Sequence, residues 1–332
     1  SPLYKSIAGK VNFIKGDVHE LKDCQQALQH QDAVIHLAAE TGTGQSMYEV
    51  QKYVDVNING TALLLDYLVN KQHNIEKVIV ASSRAIYGEG KYHCAMHGDV
   101  YPNERAEAHL TAGDFEPKCP KCAADVEIRA TDEQSKIHPA SLYGITKQNQ
   151  EQMVLNICKS IGIPAVAYRY QNVYGPGQSL KNPYTGILSI FSTQIRNGND
   201  INIFEDGQES RDFVYIDDVV DATVLGLERE EANGQVFNVG AGVQTSVWEV
   251  ASTLKDLYES NIQLNVTGNF RLGDIRHNYA DLAHIQERLG FRPKFSFYEG
   301  VKNFVDWVKS QELNEDNYAK SIEEMRSKGL FK

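Results

Sequence analysis

Short apolar segments rich in β-branched residues recur along the first half of this chain: Val11-Asn-Phe-Ile-Lys-Gly-Asp17, Asp32-Ala-Val-Ile-His-Leu-Ala-Ala39, Lys77-Val-Ile-Val-Ala81 with its continuation to Ser83, and Ala165-Val-Ala-Tyr-Arg-Tyr170. Segments this short, separated by longer polar intervals, read as buried strands. The intervals carry helical spacing instead, as from Asp55 to Asn70, where Val56, Leu63, Leu64 and Tyr67 recur as apolar positions. Strands alternating with helices predict the α/β class, a doubly wound parallel sheet covered on both faces, with ligands beyond the carboxyl ends of its strands. After Gly175-Pro176-Gly177 the rhythm changes. Short strands near Ile201-Phe204, Phe213-Ile216, Val236-Val239 and Ile262-Val266 alternate with helices at Asp218-Glu228, Val247-Glu259, Ala280-Leu289 and Tyr298-Gln311. The expected division is a first domain over 1–175 and a smaller α/β substrate-binding lobe over 176–332, sharing one cleft. The mixed charges of the tail from Glu312 to Lys332 predict a solvated terminal helix.

A Rossmann-type sheet that binds a dinucleotide begins with a strand, a glycine-rich turn and a helix whose N–H groups hold the pyrophosphate. No Gly-x-x-Gly-x-x-Gly occurs before Val11. Either a first βαβ unit of roughly 30 residues lies upstream of Ser1, or the chain binds no dinucleotide. The residues downstream read as if the cofactor were present, so the expectation is a first domain incomplete at its N-terminal end.

Composition narrows the partners. With 332 residues, 42% of them hydrophobic, the chain can bury a large core. A net charge of -11 and a pI near 5.4 argue against a nucleic-acid or acidic-membrane surface. The apolar segments fall far short of the roughly 20 residues of a membrane helix. Five unevenly placed cysteines do not make a disulfide framework. With no secretory leader visible, a cytoplasmic setting is expected.

Candidate chemistry centres on Tyr143-Gly144-Ile145-Thr146-Lys147, downstream of Ala81-Ser82-Ser83-Arg84-Ala85-Ile86-Tyr87-Gly88. Tyr-x-x-x-Lys by itself means little, since Tyr48/Lys52, Tyr67/Lys71, Tyr87/Lys91 and Tyr298/Lys302 satisfy it too. Context separates the first match. Ser83 ends a strand, and Tyr143 begins a helix for which Ser141 is the expected N-cap. Tyrosine and lysine four apart share a helical face, so Lys147 is placed to lower the Tyr143 pKa and make it a base, while Ser83 hydrogen-bonds the same substrate hydroxyl.

With these motifs assembled, the chain resembles the extended short-chain dehydrogenase/reductases of the nucleotide-sugar epimerase/dehydratase family along nearly its whole length. The resemblance implies a catalytic set of Ser83, Tyr143 and Lys147. It implies cofactor contacts at Asp17, Leu37, Ala38, Ala39, Asn57, Ser82, Tyr143, Lys147 and Tyr170, the cofactor being NAD with NADP left open. It further implies substrate contacts at Ser83, Arg84, Asn172, Arg211 and Arg276, the last two being arginines for the diphosphate, where a planar fork of donors suits phosphate oxygens. A homodimer through the helices near Asn57-Asn70 and Tyr143-Ser160 is likewise implied.

The reaction is read from what stands beside Tyr87. Family dehydratases carry an Asp-Glu pair where Arg84-Ala85 stands; decarboxylating members have glutamate, and fucose-synthase-like members cysteine, at the Ala85 position. What remains resembles a 4-epimerase, with a 4-keto nucleotide-sugar reductase as the enzyme alternative and a non-catalytic sensor as a third reading. Residues 89–133 form an insertion that the simplest epimerases lack, carrying Cys94-x-x-His97 and Cys119-Pro120-Lys121-Cys122. Two ligand pairs on tight turns suit a closed, tetrahedral structural zinc, with His93 competing for the place of His97. The insertion also resembles the dTDP-L-rhamnose 4-epimerase branch more than the UDP-glucose one, so a dTDP-6-deoxyhexose is expected and a UDP-hexose is the alternative. Cys24 and Cys158 read as small core or half-buried residues, and His36 as shaping a strand end.

Overall fold

The computed structural model describes residues 2–182, 184 and 186–332. Its central sheet has four parallel strands, β1 (Ala33–His36), β2 (Lys77–Ser83), β3 (Ala165–Tyr170) and β4 (Val236–Val239), in that spatial order. Alternation within the strands serves two cores. Val78, Val80, Ala165 and Ala167 pack with Leu64, Leu65, Leu68, Val154 and Cys158. Ile79, Val166, Tyr168, Phe237 and Val239 belong to the cluster of Val219, Ala222 and Ile285. Helices therefore cover both faces, which is why these strands read as nearly continuous apolar runs. The first core is built on α1 (Gly60–Asn70) and α2 (Leu142–Ser160), and the second on α3 (Ile216–Glu228).

Three expectations change. Val11-Asp17 does not form a strand: Val11 makes only an isolated bridge to Ala8, and Phe13 is 58% exposed. A parallel strand needs a neighbour's amides, and the outer edge of β1 meets no described strand. The strand Val236–Val239, expected in the second lobe, returns to the central sheet beside β3, its amides paired there. The terminal helix, Tyr318–Ser327, is not merely solvated, because Met325 and Phe331 are buried and the tail exchanges backbone hydrogen bonds with Phe270 and Leu272.

The remaining lobe packs a separate core, including Tyr174, Phe191, Ile201, Ile203, Phe213, Leu254 and Phe304, beneath short strand pairs. Strand Asn172–Tyr174 runs parallel to Phe213–Tyr215, carrying the chain across from the end of β3. The insertion folds as a three-stranded antiparallel sheet of Gly98–Val100, Tyr92–Cys94 and Glu127–Ile128.

Candidate active site

Ser83, in extended backbone, closes β2, and its Oγ accepts from Ala85 N at 3.1 Å to start the turn Arg84–Tyr87. On the facing element, Ser141 caps α2 as expected, its Oγ accepting from Gly144 N at 3.2 Å. Tyr143 N is held separately, donating to Ser46 Oγ at 3.0 Å. The Tyr143 phenol lies near enough to Ser83 for that hydroxyl to pull its pKa down. Lys147 stands one turn on, buried at 3% exposure, its Nζ donating to Gln150 Oε1 at 2.6 Å.

The electrostatics differ from the sequence expectation. Burial raises the Tyr143 phenol, with the Ser83 hydroxyl and the Arg84 charge pulling it back down. Lys147 is itself lowered, to about 8, by burial, with Glu151 opposing. In this state the lysine is turned towards Gln150, and only Ser83 and Arg84 oppose the upward shift of the phenol. Gln150, which the sequence reading missed, anchors that arrangement. Its Nε2 donates to Thr61 Oγ1 at 2.8 Å and lies 3.2 Å from His36 Nε2. Burial, with Lys147 nearby, lowers His36 to about 4 and leaves it neutral at pH 7. The spacing Lys147-x-x-Gln150 on one helical face was the available signal.

These groups open on a cleft of about 460 Å³ at the carboxyl ends of the central strands, lined by Leu37, Ala39, Ser82, Ser83, Arg84, Tyr143, Lys147, Tyr170 and Asn172 among others. It adjoins a second cavity of about 160 Å³, and Arg84, Asn172 and Phe213 belong to both walls. Arg84 Nε donates to Asn172 Oδ1 at 3.0 Å across the junction. Burial and the neighbouring Arg211 lower Arg84 to about 10. The Ser82 hydroxyl is already committed, donating to Glu151 Oε2 at 2.5 Å.

Four assigned residues fall outside these walls. Asp17 sits on an exposed turn, its carboxylate accepting from His19 N. Ala38 lends a carbonyl to Gln150. Asn57, fully buried in a π-helical turn, Val54–Asn59, uses its side chain to join Glu40 to Thr146. Arg276 is a correction. It is 1% exposed, and its guanidinium is taken up by Asp206, Glu205 and Glu116 at 2.8 to 2.9 Å.

The arginine facing the second cavity is Arg271, whose Nε has no hydrogen-bond partner among the described residues and lies 3.8 Å from Asp274 Oδ2. Arg211 also lines the cavity and reaches Asp274 Oδ1 at 3.1 Å. Burial alone would raise Asp274, but Arg271, Arg211, Arg105 and Arg84 outweigh it and hold the carboxyl at about 2. Arg271, with its Nε unpartnered among the described residues, is the group of this cavity floor suited to an anion.

The nicotinamide end of a dinucleotide fits the larger cleft. Leu37, 60% exposed at the mouth of the sheet, offers an apolar wall, and Tyr143 and Lys147 offer donors for ribose hydroxyls. A glycine-rich turn for the pyrophosphate is not among the described residues. In the insertion, Cys94, His97, Cys119 and Cys122 bring all four ligand atoms within 4.8 Å of one another. His93 turns instead to Asp99, at 3.6 Å, which leaves His97 as the imidazole of the set.

Similarity to known proteins points the same way. A dTDP-L-rhamnose 4-epimerase of Burkholderia thailandensis is 38% identical over 86% of this chain and 77% of its own length. The crystal structure of UDP-glucose 4-epimerase from Thermotoga maritima with UDP-glucose superposes with a TM-score of 0.73 at 28% identity, covering 90% of this chain and 86% of that one. UDP-glucuronic acid 4-epimerase from Bacillus cereus, in complex with UDP-glucuronic acid and NAD, gives 0.73 at 26% identity over 92% and 84%. The model of the NAD dependent epimerase/dehydratase family matches residues 3–109 and 117–240, and with the cleft and its Ser83, Tyr143 and Lys147 as described, the chain belongs to that family.

Proposed function

We propose that this protein is an NAD-dependent 4-epimerase of a nucleotide-diphosphate sugar, with a dTDP-6-deoxyhexose of the rhamnose kind as substrate. One observation carries the reading: Ser83, Tyr143 and Lys147 share a cleft that opens directly onto an arginine-floored cavity, with only Arg84 and Ala85 where a further acid and base would stand. That apparatus suffices to move one proton and position one carbon, and no more. The 38% identical relative named dTDP-L-rhamnose 4-epimerase supports the choice of sugar and nucleotide.

In this reading the diphosphate lies on Arg271 and Arg211, and the sugar reaches past Asn172 and Arg84 to Ser83. Tyr143 accepts the proton of the 4-hydroxyl, Ser83 holds that oxygen by a second hydrogen bond, and Lys147 favours the phenolate once ribose hydroxyls draw it from Gln150. NAD held against Leu37, Tyr143 and Lys147 would supply the hydride acceptor and donor at C4. Between the two transfers the 4-keto sugar turns over while its diphosphate stays anchored, and Tyr143 gives the proton back on the other face.

Zinc held by Cys94, His97, Cys119 and Cys122 belongs to the same proposal. Bonds of about 2.3 Å to sulfur and about 2.0 Å to nitrogen make tetrahedral edges close to those found: 3.8 Å for Cys94 Sγ to Cys122 Sγ, and 3.5 and 3.6 Å from His97 Nδ1 to Cys94 and Cys119 Sγ. Four protein ligands leave no open position, so the metal is structural.

The test is turnover of dTDP-L-rhamnose and of UDP-hexoses followed by NMR of the products, with the reduced-nicotinamide absorbance recorded alongside. Epimer formation without net change in that absorbance is expected, and Tyr143→Phe should lower kcat by roughly 10²–10⁴-fold. Stoichiometric oxidation of added NADPH would identify a reductase instead.

A further inference from the structure

The metal cluster lies in the insertion, and the insertion makes ion pairs with the lobe carrying the floor arginines. The module has little core of its own: Tyr92, Cys94, Val100 and Cys119 are its buried apolar cluster, and two of those four are cysteines of the metal set. So small an apolar core does not stabilise itself without a staple. Between the ligand pairs, the segment 98–118 sends two charged side chains outward.

Arg105 makes a bidentate pair with Glu205, both bonds at 2.8 Å, and also donates to the Asp274 carbonyl at 3.0 Å. Glu116 accepts from Arg276 Nε at 2.8 Å and meets His277 Nε2 at 3.3 Å. Phe115 lies beneath the Arg276 guanidinium, 5.9 Å from ring centre to Cζ. Glu205 accepts this load in a left-handed backbone conformation, φ 48, unusual for a residue with a side chain. It lines the second cavity, as does Asp274, whose carboxylate orders Arg211 and Arg271.

The backbone of the insertion thus joins the metal ligands to Arg105 and Glu116, and contacts from these two run on through Glu205, Asp274 and Arg276 towards the two arginines of the floor. We infer that the metal-held insertion is a brace for the nucleotide-diphosphate end of the site, so that metal content sets nucleotide affinity while leaving the proton and hydride chemistry intact. The inference rests on the nucleotide-sugar and zinc readings above and adds the coupling between them. None of Arg105, Glu116 or the four metal ligands lines either cavity, so an effect on binding must pass through position. The brace supplies what a loop without a core lacks, a fixed distance between Arg105 and the floor.

The experiment measures zinc per chain by mass spectrometry and dTDP binding by calorimetry, on the full chain as isolated, after stripping with dipicolinate, and on Arg105→Gln and Arg105→Lys with their metal retained. Stripping and Arg105→Gln should each weaken dTDP about ten-fold, inside the usual range for coupled sites. Arg105→Lys, which keeps the charge but not the fork, should fall between. Under turnover the same changes should appear in KM, with kcat at saturating substrate held. If stripped protein unfolds, the Arg105 pair decides the matter with metal still bound. Unchanged dTDP affinity in Arg105→Gln, or in a folded, stripped chain, overturns the brace and leaves the epimerase reading standing. Metal-loaded protein that binds neither dTDP nor UDP overturns the nucleotide-sugar reading itself, and the brace with it.

Discussion

At the scale of single residues, two arginines five positions apart have opposite roles. Arg271 faces the second cavity with an Nε that lacks a hydrogen-bond partner among the described residues, whereas Arg276 is enclosed by carboxylates. The two are separated by Gly273, at φ 77, where the chain turns before Arg276. Removing each should therefore injure a different property. Arg271→Met should raise KM for the nucleotide sugar at least ten-fold, the order expected from losing a charged hydrogen bond to a ligand, with little change in melting temperature. Arg276→Met leaves Glu205, 5% exposed, with one fewer cation and should cost about 3–5 kcal/mol of stability. Calorimetric melting and initial-rate kinetics on both variants check this. If Arg276→Met melts like the parent and loses substrate binding, the assignment is reversed.

At the scale of elements, the catalytic geometry depends on how closely α2 approaches the turn after β2. Gly144, next to Tyr143, is the contact point: a Cβ there would stand 2.6 Å from Ala85 O and 2.8 Å from Pro139 Cβ. One is a backbone oxygen and the other belongs to a rigid proline ring, so the helix start must move. Gly144→Ala should therefore lower kcat by about 10²-fold, as displacements near 1 Å do, although alanine is the better helix former. Rates close to the parent's would show that the approach is not tight. This region was legible because its signals are local: the β-branched run to Ser83, the Ser141 cap and the Tyr143/Lys147 spacing each follow from a few neighbouring residues. Long-range partners decided what was not. Val11-Asp17 has a strand's composition but meets no partner strand among the described residues. Val236–Val239 looked like its sequence neighbours but pairs with β3. No spacing rule announced that Arg276 would be claimed by Glu116 from 160 residues away, or that Gln150 would hold Lys147.

At the scale of the whole molecule, an acidic chain of net charge -11 concentrates arginines where its ligand is anionic. Arg84, Arg211 and Arg271 line one cavity, while Arg105 and Arg276 lie behind it. Their carboxylate partners neutralise them before a ligand arrives, and one carboxylate is poorly served. Glu209 lines the cavity at 12% side-chain exposure, its Oε2 has no hydrogen-bond partner among the described residues, and the nearest cation, Arg276 Nη1, is 3.8 Å away and shared with Glu205 and Asp206. Burial pushes its carboxyl up to about 7, against 4.5 for an unhindered glutamate. The folded chain thus keeps a proton that the unfolded chain has already released. Between those pH values the folded state binds more protons, so stability falls as pH rises through that window and is flat with respect to this group above it. Glu209→Gln removes the ionisation. The variant should gain stability over the parent on the order of 2 kcal/mol at pH 8 and nearly nothing at pH 4.5, because a neutral amide no longer has to be desolvated as a charge. Thermal melts of parent and variant at the two pH values test this. A difference of the same size at both would mean that Glu209 is ionised throughout, and that the arginines behind the cavity serve it better than their distances imply.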